Sequence, residues 1–216
     1  GDAYVISAET PPVLTLPDNT ITTVRLDSAS GAVVWRKSMA ASVSDRALSA
    51  TVDSAGNLLY SMITSQPLSP THDLIPALDV IADLKTAAYL VKVAPDGSQL
   101  WVSRLNEALR PDRIATGPGD DIWVTGFSST GRLKVTPGAY DVRSVVGNSG
   151  GIAVARIASG GNLVKFATHW ANYSPAGAFV AVAASGEAVL ATDSRAWGVP
   201  PVTADAFQRH KTADPL

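Results

Sequence analysis

One hairpin returns three times in this chain, and nothing else constrains its fold as strongly. Residues 22–36 read TTVRLDSASGAVVWR, residues 89–103 YLVKVAPDGSQLWVS and residues 153–167 AVARIASGGNLVKFA. Each is an alternating apolar run, a turn with glycine and a second apolar run. The turn glycines Gly31, Gly97 and Gly161 are 66 and 64 residues apart. A second hairpin alternates with the first: RALSATVDSAGNLLYSM at 46–62, DRIATGPGDDIWVTG at 112–126 and GAFVAVAASGEAVLAT at 177–192. Aligned on Gly56, Asp120 and Gly186, its copies are spaced 64 and 66 residues. The opening GDAYVIS matches the second half of this hairpin.

A full repeat therefore holds four short strands, first to fourth in chain order. No helical period appears; Val, Ile, Leu, Tyr and Trp alternate with polar or small residues, and Gly, Asp, Asn and Pro punctuate them. Pro95 presets φ at the first turn position, and Gly97 can take the positive φ of a hairpin turn. The first strand is small-faced, with Ala47, Ala50, Ala115, Gly117, Ala181 and Ala183, as crowding around an axis requires. The fourth carries bulk in Trp35, Trp101 and Phe166. Four-stranded units repeated radially make a β-propeller. The expected fold is all-β, a propeller of four-stranded antiparallel blades over residues 1–216, with blades near 1–45, 46–110, 111–176 and 177–216. A stacked β-solenoid is the rival, but its repeats run to only about 30 residues. The first blade starts at its second strand and the last supplies only two, so about three blades plus partial ones are expected. A longer chain or a partner protein would then cover the exposed edges.

Composition narrows the class. Hydrophobic residues make up 46% and charged residues 17% of the 216, enough apolar surface to offset the entropy of ordering. The net charge of −2, without a basic or acidic run, gives no reason to expect nucleic acid as a partner. The absence of cysteine excludes disulfides and thiolate metal sites. No apolar run is long enough for a membrane-spanning helix, and no leader pattern opens the sequence.

DDIWVTGFSS followed by VTPGAYD, within 120–141, resembles the bacterial SBBP repeat, whose usual form runs G-N-x-Y-V-T-G, T-P-G-A-F, then an A-F-V-A-K-L strand and a D-G turn. Thr136-Pro137-Gly138-Ala139-Tyr140 matches the middle element, TADAFQ at 203–208 matches it less fully, and AYLVKVAPDGSQLW at 88–101 matches the last. The first repeat departs from the pattern, being shorter between its second and third strands and lacking the proline-glycine element. The resemblance implies a secreted or cell-surface bacterial propeller, often one module of a larger protein. It implies no common activity. RLDSASGAVVWRKS also resembles the tryptophan-docking repeat of quinoprotein dehydrogenases, but no cofactor-binding set accompanies it, and no cofactor is expected.

The segment VVGNSGGI around Ser149 resembles the nucleophile loop of trypsin-like serine proteases. A nucleophilic serine needs a general base held by a carboxylate. The three histidines, His72, His169 and His210, stand in no such context. The repeat explains the glycines instead, as the loop entering the third strand at Ile152. His72-Asp73 could ligate a metal and Asp120-Asp121 could bind calcium, but a solvated loop pair and a hairpin turn account for them more simply. Asn172-Tyr173-Ser174 is a glycosylation sequon, without meaning in a bacterial source. The tryptophans read as core rather than as sugar platforms. No catalytic, cofactor-binding or metal residue is therefore assigned.

The function expected is a non-enzymatic propeller scaffold or interaction module, secreted or in the cell envelope of a bacterium, mediating protein contact or adhesion, or serving as a subunit of an envelope assembly. Its expected contact surface is the side carrying the long connections 64–87 and 128–151. The alternative is a carbohydrate-active enzyme, which needs two carboxylates facing one pocket, or a carbohydrate-binding module, which needs Trp197 or Tyr140 exposed along a groove.

Overall fold

The computed structural model describes residues 3–9, 19–42, 44–74, 86–105, 109–128, 133–139, 151–172 and 178–192. Among them the chain is all-β, with one short 3-10 turn at Pro118–Asp120. Sheet one joins β1 (Ala3–Glu9), β2 (Asn19–Leu26) and β3 (Val33–Ala41) in that order. Sheet two is built from β4 (Arg46–Val52), β5 (Leu58–Thr64), β6 (His72–Asp73), β7 (Ala87–Val93) and β8 (Gln99–Arg104), in the order β4-β5-β7-β8-β6. Sheet three holds β9 (Arg110–Thr116), β10 (Ile122–Ser128), β11 (Gly151–Ile157) and β12 (Val164–Asn172) as an antiparallel meander. Sheet four pairs β13 (Ala178–Val182) with β14 (Ala188–Thr192).

The 64-to-66-residue period is carried by the backbone. Gly31, Gly97 and Gly161 all have positive φ, at 70°, 87° and 71°. At the other turn Gly56, Asp120 and Gly186 lie at 79°, 59° and 93°, so the non-glycine at the middle copy adopts the conformation of its glycine counterparts. Even the irregularities recur. The outer hairpins shift register after Arg25–Trp35, after Lys92–Trp101 and after Arg156–Phe166. The inner ones shift at Leu48 and at Asp112, which are skipped in the pairing. A bulge adds one residue and local twist, so sheets one, two and three are re-aimed in the same place in their outer hairpins. The sequence pattern did not anticipate β6, a two-residue strand parallel to β8 that makes sheet two five-stranded. It places His72 beside Ser103 rather than in an open loop.

Alternation on each strand sends neighbouring residues to opposite faces, and in sheet two both faces are covered. Leu58, Tyr60, Met62, Tyr89, Val91, Val93 and Val102 pack toward sheet one, with Ile21, Ala41, Tyr4, Ile6 and Trp35. Leu59, Ile63, Ala88, Leu90 and Trp101 pack toward sheet three, with Ile114, Ile122, Val124, Ala153, Ala155, Ile157 and Ala167. Every residue of β5 is consequently buried. The sheets stand face to face in a row, with β4, β9 and β13 side by side and β1 next to β4. The short turns of each sheet share one rim; the strand ends Thr64 and Ser128, from which the long connections depart, lie at the other.

Candidate functional site

The polar side chains of the turn rim form a repeated set of contacts between sheets. The third-strand position opposite the fourth-strand aromatic is a cation in every copy: Arg25 opposite Trp35, Lys92 opposite Trp101, Arg156 opposite Phe166. Arg25 donates to the Pro95 carbonyl in the outer turn of sheet two, and Trp35 Nε1 donates to the same oxygen at 2.9 Å. Lys92 Nζ reaches the Ser159 carbonyl in the outer turn of sheet three at 3.5 Å. The outer turns of sheets two and three thus seat their glycines on the tryptophan of the sheet before them. A Cβ at Gly97 would stand 3.3 Å from the Trp35 indole, and one at Gly161 2.9 Å from that of Trp101. Ser103 closes the second junction by donating to the Gly161 carbonyl at 2.6 Å.

The acids complete this network. Asp53 is buried and pairs with Lys92 at 2.7 Å. Burial opposes ionisation of its carboxyl, but donors from Lys92 and Asn57 outweigh that and hold it below the ordinary aspartate range. Asp121 is equally buried and receives Arg156 at 2.6 Å and Lys165 at 2.8 Å. There too the two cations overcome the desolvation and lower the carboxyl. Asp120 turns the other way, accepting from Ser54 N and Ser54 Oγ at 2.9 and 2.7 Å across to sheet two. The adjacent carboxylates Asp120 and Asp121 are therefore engaged on different groups and do not converge.

On the opposite rim Asp45 stitches the link between sheets one and two. It accepts from Ser42 N, Ser42 Oγ, Thr64 Oγ1 and Ser65 N, all within 2.7–2.9 Å. Burial penalises its charge, and these four donors more than offset that penalty. Asp73 pairs with Arg104 at 2.6 Å, so the His72-Asp73 dyad offers a carboxylate already engaged by a guanidinium. His169 is buried within β12.

Among the described residues no three His, Asp or Glu side chains come together as a metal site, and no helix is long and apolar enough to cross a membrane. Ser149, His210, Tyr140, Trp197 and the Tyr173-Ser174 half of the sequon lie outside the described residues. The tryptophan readings divide by position: Trp101 is buried in the core between sheets two and three, and Trp35 binds the next turn. The sequence reading passed over Arg25, Lys92 and Arg156. Their signal was present, since they hold one position of the period, but a lone cation in a strand reads as a solvated face.

No protein-family model matches the chain, and no curated protein matches it. Among solved structures it is similar to a protein of unknown function from Bacteroides caccae, with 12% identity and a TM-score of 0.43 over 82% of this chain and 49% of that one. It is also similar to a variant of the Synechocystis apocarotenoid oxygenase, with 11% identity and a TM-score of 0.37 over 88% of this chain and 46% of the other. The chain thus spans about half the length of the structures it resembles.

Proposed function

We propose that this chain is a β-propeller-type scaffold, a non-enzymatic interaction module of a secreted or cell-envelope bacterial protein. One observation carries the reading: the charged and aromatic side chains that recur with the period are engaged on neighbouring turns or on partners in their own sheet, and do not converge on one pocket. Arg25, Trp35, Lys92 and Ser103 bind neighbouring turns, and Asp53 and Asp121 are ion-paired within the same network. Sheets in a row, with β4, β9 and β13 side by side, support the reading, since blades ranged around an axis also bring their first strands together. The bacterial, extracytoplasmic assignment and the membership in the SBBP repeat family rest on the quoted sequence elements alone. Contact with a protein partner is assigned to the rim from which the long connections depart, because binding residues concentrate on connecting segments carried by a rigid scaffold.

A photo-crosslinker placed at the exposed Gln66, on that rim, tests this. The expected result is one discrete cross-linked protein from a bacterial envelope extract, and none from a crosslinker at the exposed Leu163 on the turn rim. A covalent fluorophosphonate adduct dependent on Ser149, or turnover of a polysaccharide, overturns the non-enzymatic reading.

A further inference from the structure

The cations that recur with the period fall into two sets. Arg25, Lys92 and Arg156, on the turn rim, are engaged on turns or acids. Arg46 and Arg110 form the second set. They are 64 residues apart, the spacing of Gly56 and Asp120, and each is the first residue of its strand, β4 and β9. Their ladder partners are Ile63 and Phe127, next to the strand ends Thr64 and Ser128, so both stand at the rim from which the long connections depart. Both are exposed. The third copy has Ala176 at this position, which confines the pair to sheets two and three. Each arginine also sits on fixed backbone. Asp45, pinned by Ser42, Thr64 and Ser65, precedes Arg46. The buried Pro111 follows Arg110, and a Cβ at Gly126 would collide with the Arg110 carbonyl, so glycine there lets β9 come in close.

Charge along this line is one-sided. The strands that stand side by side, β4, β9 and β13, carry three arginines, Arg46, Arg110 and Arg113, and one acid, Asp112. That is an excess of positive charge on a chain whose net charge is −2. Asp112 lies at the bulge between Arg110 and Arg113, and both act on its carboxyl. Asp45, beside Arg46 in sequence, is buried and occupied by its own donors. A guanidinium on fixed backbone meets a carboxylate through two parallel N–H donors. Resting on the reading of this rim as the partner surface, we infer that Arg46 and Arg110 take the carboxylates of an acidic segment of the partner protein. A glycan of uronic acids would also need an open aromatic face for its sugar rings. Phe179, the exposed aromatic ring on these strands, already lies under Arg113, 4.8 Å from the ring centroid.

The probe is a fluorescein-labelled octaglutamate peptide, titrated against the whole chain at low salt, with octalysine, polygalacturonate and vesicles of anionic phospholipid alongside. Octaglutamate is expected to bind, and Arg46→Gln with Arg110→Gln to weaken it about tenfold, as two exposed ion pairs allow. Added salt is expected to weaken it too. Arg36→Gln with Lys134→Gln removes two exposed charges away from β4, β9 and β13 and is expected to leave binding unchanged. Arg46→Glu with Arg110→Glu is expected to transfer the preference to octalysine. Where a double variant lowers the melting temperature, the single changes replace it. Octaglutamate left unbound overturns the inference, and so does an equal loss in both glutamine pairs, because only net charge would then matter. Polygalacturonate or vesicle binding that depends on Arg46 and Arg110, with octaglutamate unbound, overturns it in favour of a glycan or a membrane. The rim reading is judged separately by the Gln66 cross-link. A cross-link that forms as well in Arg46→Gln with Arg110→Gln as in the parent removes the acidic partner and keeps the rim. Octaglutamate binding without any Gln66 cross-link keeps the arginine pair and removes the rim reading.

Discussion

Gly97 concentrates two demands on one residue. Its φ of 87° lies in the region that side chains with a Cβ avoid, and the missing Cβ leaves the space that the Trp35 indole and the Lys37 side chain fill. A β-branched residue there meets both penalties, so Gly97→Val is expected to lower stability by about 1–3 kcal/mol from backbone strain alone. Gly31→Val shares the strain, with φ 70°, but meets no neighbour, so it should cost less. Thermal melts of the two variants separate conformational strain from lost contact; equal shifts would show that the contact with Trp35 contributes nothing. Asp120 is the exception that the sequence hid. It accepts a φ of 59° where its counterparts are glycines, and its carboxylate holds Ser54 across to the next sheet. Replacing it with glycine relieves the strain and removes that bridge, so the two effects oppose each other.

The hairpins were legible before the structure because their determinants are local. Alternation fixes which residues face a core, and a turn that needs positive φ must declare itself with glycine or, more rarely, Asp or Asn. What joins one hairpin to the next was not legible. Lys92 finds Asp53 across 39 residues of sequence, and Arg156 finds Asp121 across 35, distances at which no spacing rule operates. The bulges at Leu48 and Asp112 escaped for a related reason: one added residue leaves the apolar alternation almost unchanged. β6 escaped because two residues carry no period. As candidate site residues the sequence offered Ser149, the His72-Asp73 dyad and the Asp120-Asp121 pair; the structure engages Asp73 with Arg104 and parts Asp120 from Asp121. The junctions also differ in strength along the row. Trp101 is 7% exposed and sits in the core between sheets two and three, so Trp101→Ala should cost about 3–5 kcal/mol. Phe166, its counterpart in sheet three, is half-buried, and its truncation should cost distinctly less. Denaturant midpoints decide this; a Phe166→Ala loss as large as that of Trp101→Ala would mean that the junction beyond sheet three is packed as tightly as those inside the row.

At the scale of the whole molecule these acids make stability depend on pH in a direction that can be worked out. Asp45, Asp53 and Asp121 each meet a desolvation penalty that their donors overcome, and each is held below 3.8, the ordinary aspartate value. An acid whose folded value is depressed stabilises the fold fully above its unfolded value, because the unfolded chain takes up the proton first. That stabilisation fades as the pH falls through 3.8 and is gone once the folded carboxyls are themselves protonated. Asp112 acts in the opposite sense. Burial at the bulge of β9 raises its carboxyl in spite of Arg113 and Arg110, so it burdens the fold at neutral pH and the burden lifts on acidification. The exposed turn residues Asp27 and Asp96 are lowered too, by hydrogen bonds from Ser30 and Ser98, so five depressed acids against one raised one leave a net loss on the acid side, and melts should be flat through neutrality and fall below about pH 5. Asp53→Asn should be less stable than the parent at pH 7, since it leaves the Lys92 ammonium, 11% exposed, without its counter-charge; breaking such a buried pair costs about 3–5 kcal/mol. Its acid limb should also be shallower, because one of the protons that drives unfolding has been removed. Asp112→Asn is expected to raise stability at pH 7 and to steepen the acid limb, as the one compensating group is gone. Parallel limbs for parent and Asp53→Asn would show that Asp53 titrates alike folded and unfolded, and that its ion pair contributes nothing to holding sheet two together.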